Sequence, residues 1–220
     1  EWGEPRGELG LGDLLGVRLT GTRFGVEGTH SASWEVQSGH TYLRLPSDRQ
    51  ARHPILSGWE ETDLLAFGGT LHKVELLEGA KAVATLVPPF PIYPPEFSWM
   101  REPETEIPAV VVRRARSGTP GSGARLAYLA ADVDRCYGRR GLPDHGTLLA
   151  NVVRWAARGR TPLRVEGPGY VDCHLYRQEG RLILHLVNLS GCNAWPAYLE
   201  EHLPVGPLWV AVRLEAGDEL

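Results

Sequence analysis

The chain has 220 residues, 42% of them apolar and 23% charged, ordinary for a globular protein of one large domain or two smaller ones. Its net charge of −4 argues against nucleic acid or an acidic membrane surface as a partner, since both call for a basic excess. Seventeen prolines and twenty-six glycines favour turns and short strands over long helices.

In chain order, residues 7–17 (GELGLGDLLGV) read as a short helix packing Leu11, Leu14 and Leu15, weakened by its glycines. Thr20 to His40 is polar and irregular, an expected long loop carrying Phe24 and Trp34. TYLRL (41–45) reads as a short strand, and HPILSGW (53–59) as a turn into a buried element with Pro54 at the bend. Three β-like runs follow between Leu64 and Pro89: LLAFGG, HKVELL and KAVATLVPP. The next segment, PPFPIYPPEFSW (88–99), has too many prolines to be helical and is expected to be a loop. Its aromatic residues, Phe90, Tyr93, Phe97 and Trp99, either cap the core or form a surface for sugar stacking or subunit contact.

PAVVVRRA (108–115) and ARLAYLA (124–130) are nearly continuous apolar runs joined by the glycine-rich RSGTPGSG. Such runs are expected of strands buried on both faces within a helix-covered sheet. After the charged cluster DVDR comes a helix that Asp144 can cap, with Leu148, Leu149, Val152, Val153 and Ala156 as its apolar stripe. Gly159 and Pro162 end it. Beyond residue 160 the pattern becomes antiparallel β. YVDCHLYRQEGRLILHLVNLS reads as a hairpin with Glu179-Gly180 at its tip, and VGPLWVAVRLE as a further strand. The expected organisation is an α/β domain over 1–160 and a small, incomplete antiparallel β domain over 161–220.

The candidate ligand group is Asp132, Asp134 and Arg135, just past the carboxyl end of a buried strand, where open α/β sheets bind ligands. Two aspartates at i and i+2 can hold a divalent cation. Arg135 can instead neutralise one of them, so an ion pair that fixes the strand-to-helix loop is the favoured reading. The even hairpin places His174 opposite His185, half of a zinc site with no third ligand at suitable spacing. An ordinary cross-strand pair is the commoner outcome, and no metal or cofactor is assigned. None of the three cysteines, Cys136, Cys173 and Cys192, sits on a glycine-flanked elbow, and no G-x-S-x-G occurs, so no catalytic residue is assigned either. The odd, unpaired cysteines point to free thiols in a reducing compartment. No basic, apolar leader is visible, and the expected location is the cytoplasm. The first residue is not methionine, which points to a processed or excised segment.

The order of HPILSGW, ATLVPP, PAVVVRRA…GARLAYLAADVDRCY, DHGTLLANVVRWA and VEGPGYVDCHLYRQEGRLILHLVNLS…HLPVGPLWVAVRL resembles the C-terminal region of TIM-barrel glycoside hydrolases similar to the family 42 β-galactosidases. The resemblance covers the whole chain and is strongest from Pro108 to Leu214. It implies a β-galactosidase trimerisation-type domain with the flavodoxin-like fold of class I glutamine amidotransferases, lacking its first strands, then a C-terminal β domain. The implied role is non-catalytic: to dock subunits as a homo-oligomer, or against the catalytic barrel, which carries the family's two glutamates. The alternative is a carbohydrate-binding module using Trp34, Tyr93, Phe97 and Trp99 as stacking platforms. A third, an amidotransferase-like enzyme, needs a reactive cysteine.

Overall fold

The computed structural model describes residues 7–25, 40–90, 94–115, 123–191 and 201–214. It divides into two compact units, Glu1–Ala156 and Ala157–Leu220. Strands hold 41% of the described residues and helices 18%. Among the described residues every strand pairing is antiparallel. The expected flavodoxin-like α/β sheet is therefore corrected to a curled antiparallel sheet with few helices. Of the two continuous apolar runs, PAVVVRRA is deeply buried whereas ARLAYLA is only half-buried, and antiparallel neighbours stand where parallel crossovers were expected.

In the first unit, β1 (Val17–Gly25) pairs with β4 (Thr70–Leu76) as a two-stranded ribbon. The larger sheet has the order β3-β2-β5-β6-β7. Its strands are β2 (His40–Arg44), β3 (Leu64–Phe67), β5 (Ala80–Phe90), β6 (Pro108–Arg114) and β7 (Arg125–Leu129). An isolated bridge between Leu71 and Ala131 ties the ribbon to the segment leaving β7. β6 lies inside the sheet and is buried from Pro108 to Val112, whereas β7 is at the edge and half-buried. One apolar cluster draws Val17, Leu71 and Val74 from the ribbon and Leu43, Leu65, Leu86 and Val110 from the sheet. Each such side chain contributes about 1.5–3 kcal/mol of burial.

Several local expectations change. The segment expected to be a loop from Thr20 begins instead as the second half of β1. Its register shifts between Leu19 and Arg23, around Gly21 at φ +78°, and this bulge hides the two-residue alternation. β5 continues through Pro88 and Pro89 to Phe90. The two prolines lie beyond the end of the pairing with β6 at Thr85, and on the β2 side they fall in the register irregularity between the Val87 and Phe90 pairs, where regular ladder bonds are interrupted. At the start of the chain, α1 is the single turn Gly12–Leu15; Leu9 and Leu15 pack on the core while Leu11 and Leu14 are exposed.

The charged cluster opens a helix of its own, α2 (Val133–Arg140), where a loop was expected. Then α3 (Pro143–Ala156) follows, with proline in its first turn. Its inner stripe is His145, Leu148, Leu149, Val152 and Trp155; Val153 points outward. Asn151 Nδ2 donates to the carbonyls of Ile55 and Ser57, at 3.2 and 2.9 Å. Arg125 donates to the Trp155 carbonyl at 3.0 Å and lies over its ring. The His53 ring meets Trp155 edge-on at 4.8 Å. Burial, then the charges of Lys81, Arg125 and Arg114, lower the His53 pKa and keep the ring neutral.

In the second unit, β9 (Val171–Gln178) and β10 (Arg181–Asn188) form a hairpin with His174 opposite His185, the register read from its even tip. Glu179 and Gly180 both have positive φ, 39° and 79°, as a tight two-residue turn requires. Separately, β8 (Leu163–Glu166) pairs with β11 (Trp209–Val212). Among the described residues, no helix is long and apolar enough to cross a membrane.

Candidate functional site

Asp132 is the centre of the charged cluster. The chain leaves β7, is caught by the bridge at Ala131, and turns into α2 at Val133. This brings Asp132 against Thr70, 62 residues away in sequence. The Thr70 backbone N–H donates to Asp132 Oδ1 at 2.8 Å, and the Asp132 N–H donates to the Thr70 carbonyl at 3.0 Å. Arg135, one helical turn on, donates through Nε to Asp132 Oδ2 at 2.6 Å and pairs with the same oxygen through its terminal nitrogen. It also reaches Thr70 Oγ1 at 3.3 Å. The favoured sequence reading, an ion pair fixing this junction, is the arrangement observed.

The close approach depends on Gly69. A Cβ there would overlap Asp132 Oδ1 and come within 2.5 Å of Cys136 Sγ and 2.9 Å of Phe67. Any larger residue would push Asp132 off the turn it holds.

Cys136 sits beneath this junction with its Sγ 3.5 Å from Asp132 Oδ1. Burial first, then the Asp132 carboxylate, raises the thiol pKa from 9.0 to about 11. A protonated thiol is neither nucleophile nor metal ligand near neutral pH. Cys173, half-buried on β9, is the other free thiol among the described residues; Cys192 lies outside them.

Asp134 is exposed and lines a cleft of about 330 Å³ with Asp132, Arg135, Thr70 and Tyr128. Arg23 and His72, directly opposite each other on β1 and β4, complete its wall. Sequence reasoning missed these two and Tyr128, because only the ribbon-to-sheet bridge brings the three strands together. Burial raises the pKa of the Tyr128 phenol.

The aromatic segment divides. Phe90 ends β5 in the core and stacks on Tyr42, with ring centroids 6.1 Å apart. Phe97 and Trp99 stand on and just after the 3-10 turn Pro95–Phe97, 52% and 57% exposed. Trp34 and Tyr93 lie outside the described residues. The structure does not gather Phe97 and Trp99 into the cleft with Asp132, Asp134 and Arg135.

His145 is a further missed residue, 3% exposed at the start of α3. Its Nε2 donates to the Ala66 carbonyl at 2.9 Å, and its Nδ1 has no partner among the described residues. Asp144 accepts a hydrogen bond from Trp59 Nε1 at 3.2 Å, in place of the expected cap. On the hairpin, His174 is held by Asp172 at 2.9 Å, and Tyr176 stacks on the His174 ring and meets the His185 ring edge-on. No group of three or more metal-ligating side chains occurs among the described residues.

No family model matches the chain, and no curated protein or solved structure matches it either.

Proposed function

We propose that this chain is a non-catalytic accessory and oligomerisation region of a glycoside hydrolase, docking subunits or packing against a sugar-cleaving barrel. The observation that carries the non-catalytic reading is the use made of the charged cluster. Both Asp132 oxygens are engaged in holding β4 to α2, and the neighbouring thiol is kept protonated. A general acid or base needs an oxygen turned toward substrate. The sugar-enzyme reading rests on the resemblance in segment order, strongest from Pro108 to Leu214, and takes nothing from the discarded flavodoxin-like sheet.

The test pairs two measurements on the purified chain. Sedimentation velocity is expected to show self-association, or association with an added family 42-type barrel. Hydrolysis of aryl β-galactosides is expected to stay at the buffer rate. Turnover that responds to point changes in this chain would overturn the proposal.

A second reading is favoured by one observation, the adjacent exposed rings of Phe97 and Trp99. On that reading they form a stacking platform for a saccharide. Saturable tryptophan quenching by oligosaccharides, abolished in Trp99→Ala, would select it over pure assembly.

A further inference from the structure

The cleft beside α2 has a composition that the junction alone does not require. Its walls come from four places: Arg23 on β1, Thr70 and His72 on β4, Tyr128 on β7, and Asp132, Asp134 and Arg135 at the start of α2. At about 330 Å³ it sits at the small end of the roughly 300–1,000 Å³ typical of ligand pockets, room for one ring and not for a chain.

Its charges select the ligand class. Two guanidiniums, Arg23 and Arg135, are matched by two carboxylates, Asp132 and Asp134, so their formal sum is zero. A phosphate or carboxylate placed here would lie beside both aspartates, and an ammonium beside both arginines. A neutral molecule dense in hydroxyls uses both signs at once. Each hydroxyl donates to a carboxylate and accepts from a guanidinium.

The floor is fixed in advance. Asp132 is held by the Thr70 N–H and by Arg135, and Arg135 by Asp132 and Thr70 Oγ1. Prior ordering of this kind lowers the entropy lost on binding. Asp134 makes no side-chain hydrogen bond or ion pair with any described residue, which leaves its oxygens available as acceptors.

We propose that this cleft is a binding site for one neutral sugar ring, with Asp134 and His72 contacting its hydroxyls over the rigid Asp132–Arg135 floor. The site goes beyond the accessory role. Its ligand class follows from the cleft's own charges and does not depend on the glycoside hydrolase reading.

The experiment is ligand-detected saturation-transfer NMR on the full chain. The probes are the methyl glycosides of glucose, galactose, mannose and xylose, with inorganic phosphate and glycine betaine as charged and zwitterionic comparators. Saturable binding of at least one glycoside is expected, weakened at least tenfold in Asp134→Ala and in His72→Ala and unchanged in Trp99→Ala. Both cleft residues are exposed, so thermal melts of the two variants are expected to match the parent and to separate a lost contact from a lost fold. Three results would overturn the proposal: no saturable glycoside signal, binding that survives the Asp134→Ala/His72→Ala double variant, or phosphate binding more tightly than any sugar. None of them bears on self-association, so the accessory role stands or falls separately.

Discussion

Replacing Asp132 by alanine removes the Oδ1 acceptor of the Thr70 N–H, a charge-assisted bond at 2.8 Å whose donor residue is 4% exposed. Such a bond contributes about 1.5–3 kcal/mol, and the stranded N–H is part of that loss. The ion pair with Arg135 adds little, because the arginine side chain is 40% exposed and partly exposed pairs contribute about 0–1 kcal/mol. The expected destabilisation is therefore about 2–4 kcal/mol. For a chain of this length that is a fall in Tm of about 5–15 °C. Asp132→Asn keeps an Oδ1 acceptor and loses only the charge, so it is expected to cost about 1 kcal/mol. Thermal melts by circular dichroism and urea midpoints at unchanged m-value measure both. If alanine melts within about 1 °C of the parent, or asparagine is as damaging as alanine, the hydrogen bond does not hold this junction.

Three further outcomes are expected. Leu148→Ala, at a fully buried position, should cost about 2–5 kcal/mol, whereas Val153→Ala on the exposed side of the same helix should stay within about 0.5 kcal/mol; equal urea midpoints would refute the assigned stripe. Gly69→Ala should lower stability by about 1–3 kcal/mol through its overlap with Asp132 and Cys136, seen as a shifted melt, and a neutral result would mean the turn can open at little cost. Because the Cys136 thiol pKa rises from 9.0 to about 11 on folding, the folded state binds that proton more tightly than the unfolded chain. The resulting stability is full below about pH 9 and is lost toward about pH 11, about 1–2 kcal/mol after allowing for partial solvation. Melts across that range should therefore fall more steeply for the parent than for Cys136→Ala.

Strand content, the 143–156 helix and the hairpin register were legible in local pattern. An even tip at Glu179-Gly180 leaves one pairing, and His174 does face His185. Strand direction was not legible. PAVVVRR is as apolar as a parallel central strand because neighbours on both sides and the core bury it, and burial does not report the direction of those neighbours. β1 escaped notice because the bulge at Gly21 breaks its alternation. In the candidate site, the crowded charges of DVDR pointed to an ion pair between Arg135 and one aspartate, but not to Asp132 one helical turn back, since no helix was expected there. The partners that give it a purpose, Thr70 and Gly69, lie some sixty residues upstream, and nothing local points to them. His72, Arg23 and Tyr128 escaped for the same reason: each is an ordinary strand residue until the ribbon meets the sheet.

The route of β4 has a consequence for biosynthesis. Between β3 and β5 the chain leaves the large sheet to pair with β1, where Val17 meets Leu76, 59 positions later. At translation speeds of about 5–20 residues per second, the first strand waits roughly 3–12 s for its partner to be made. Throughout that interval its backbone donors and acceptors are open to any other nascent strand. Arg18 and Arg23, carried on that strand, put like charge against like wherever two copies meet, a safeguard against pairing with a neighbouring copy.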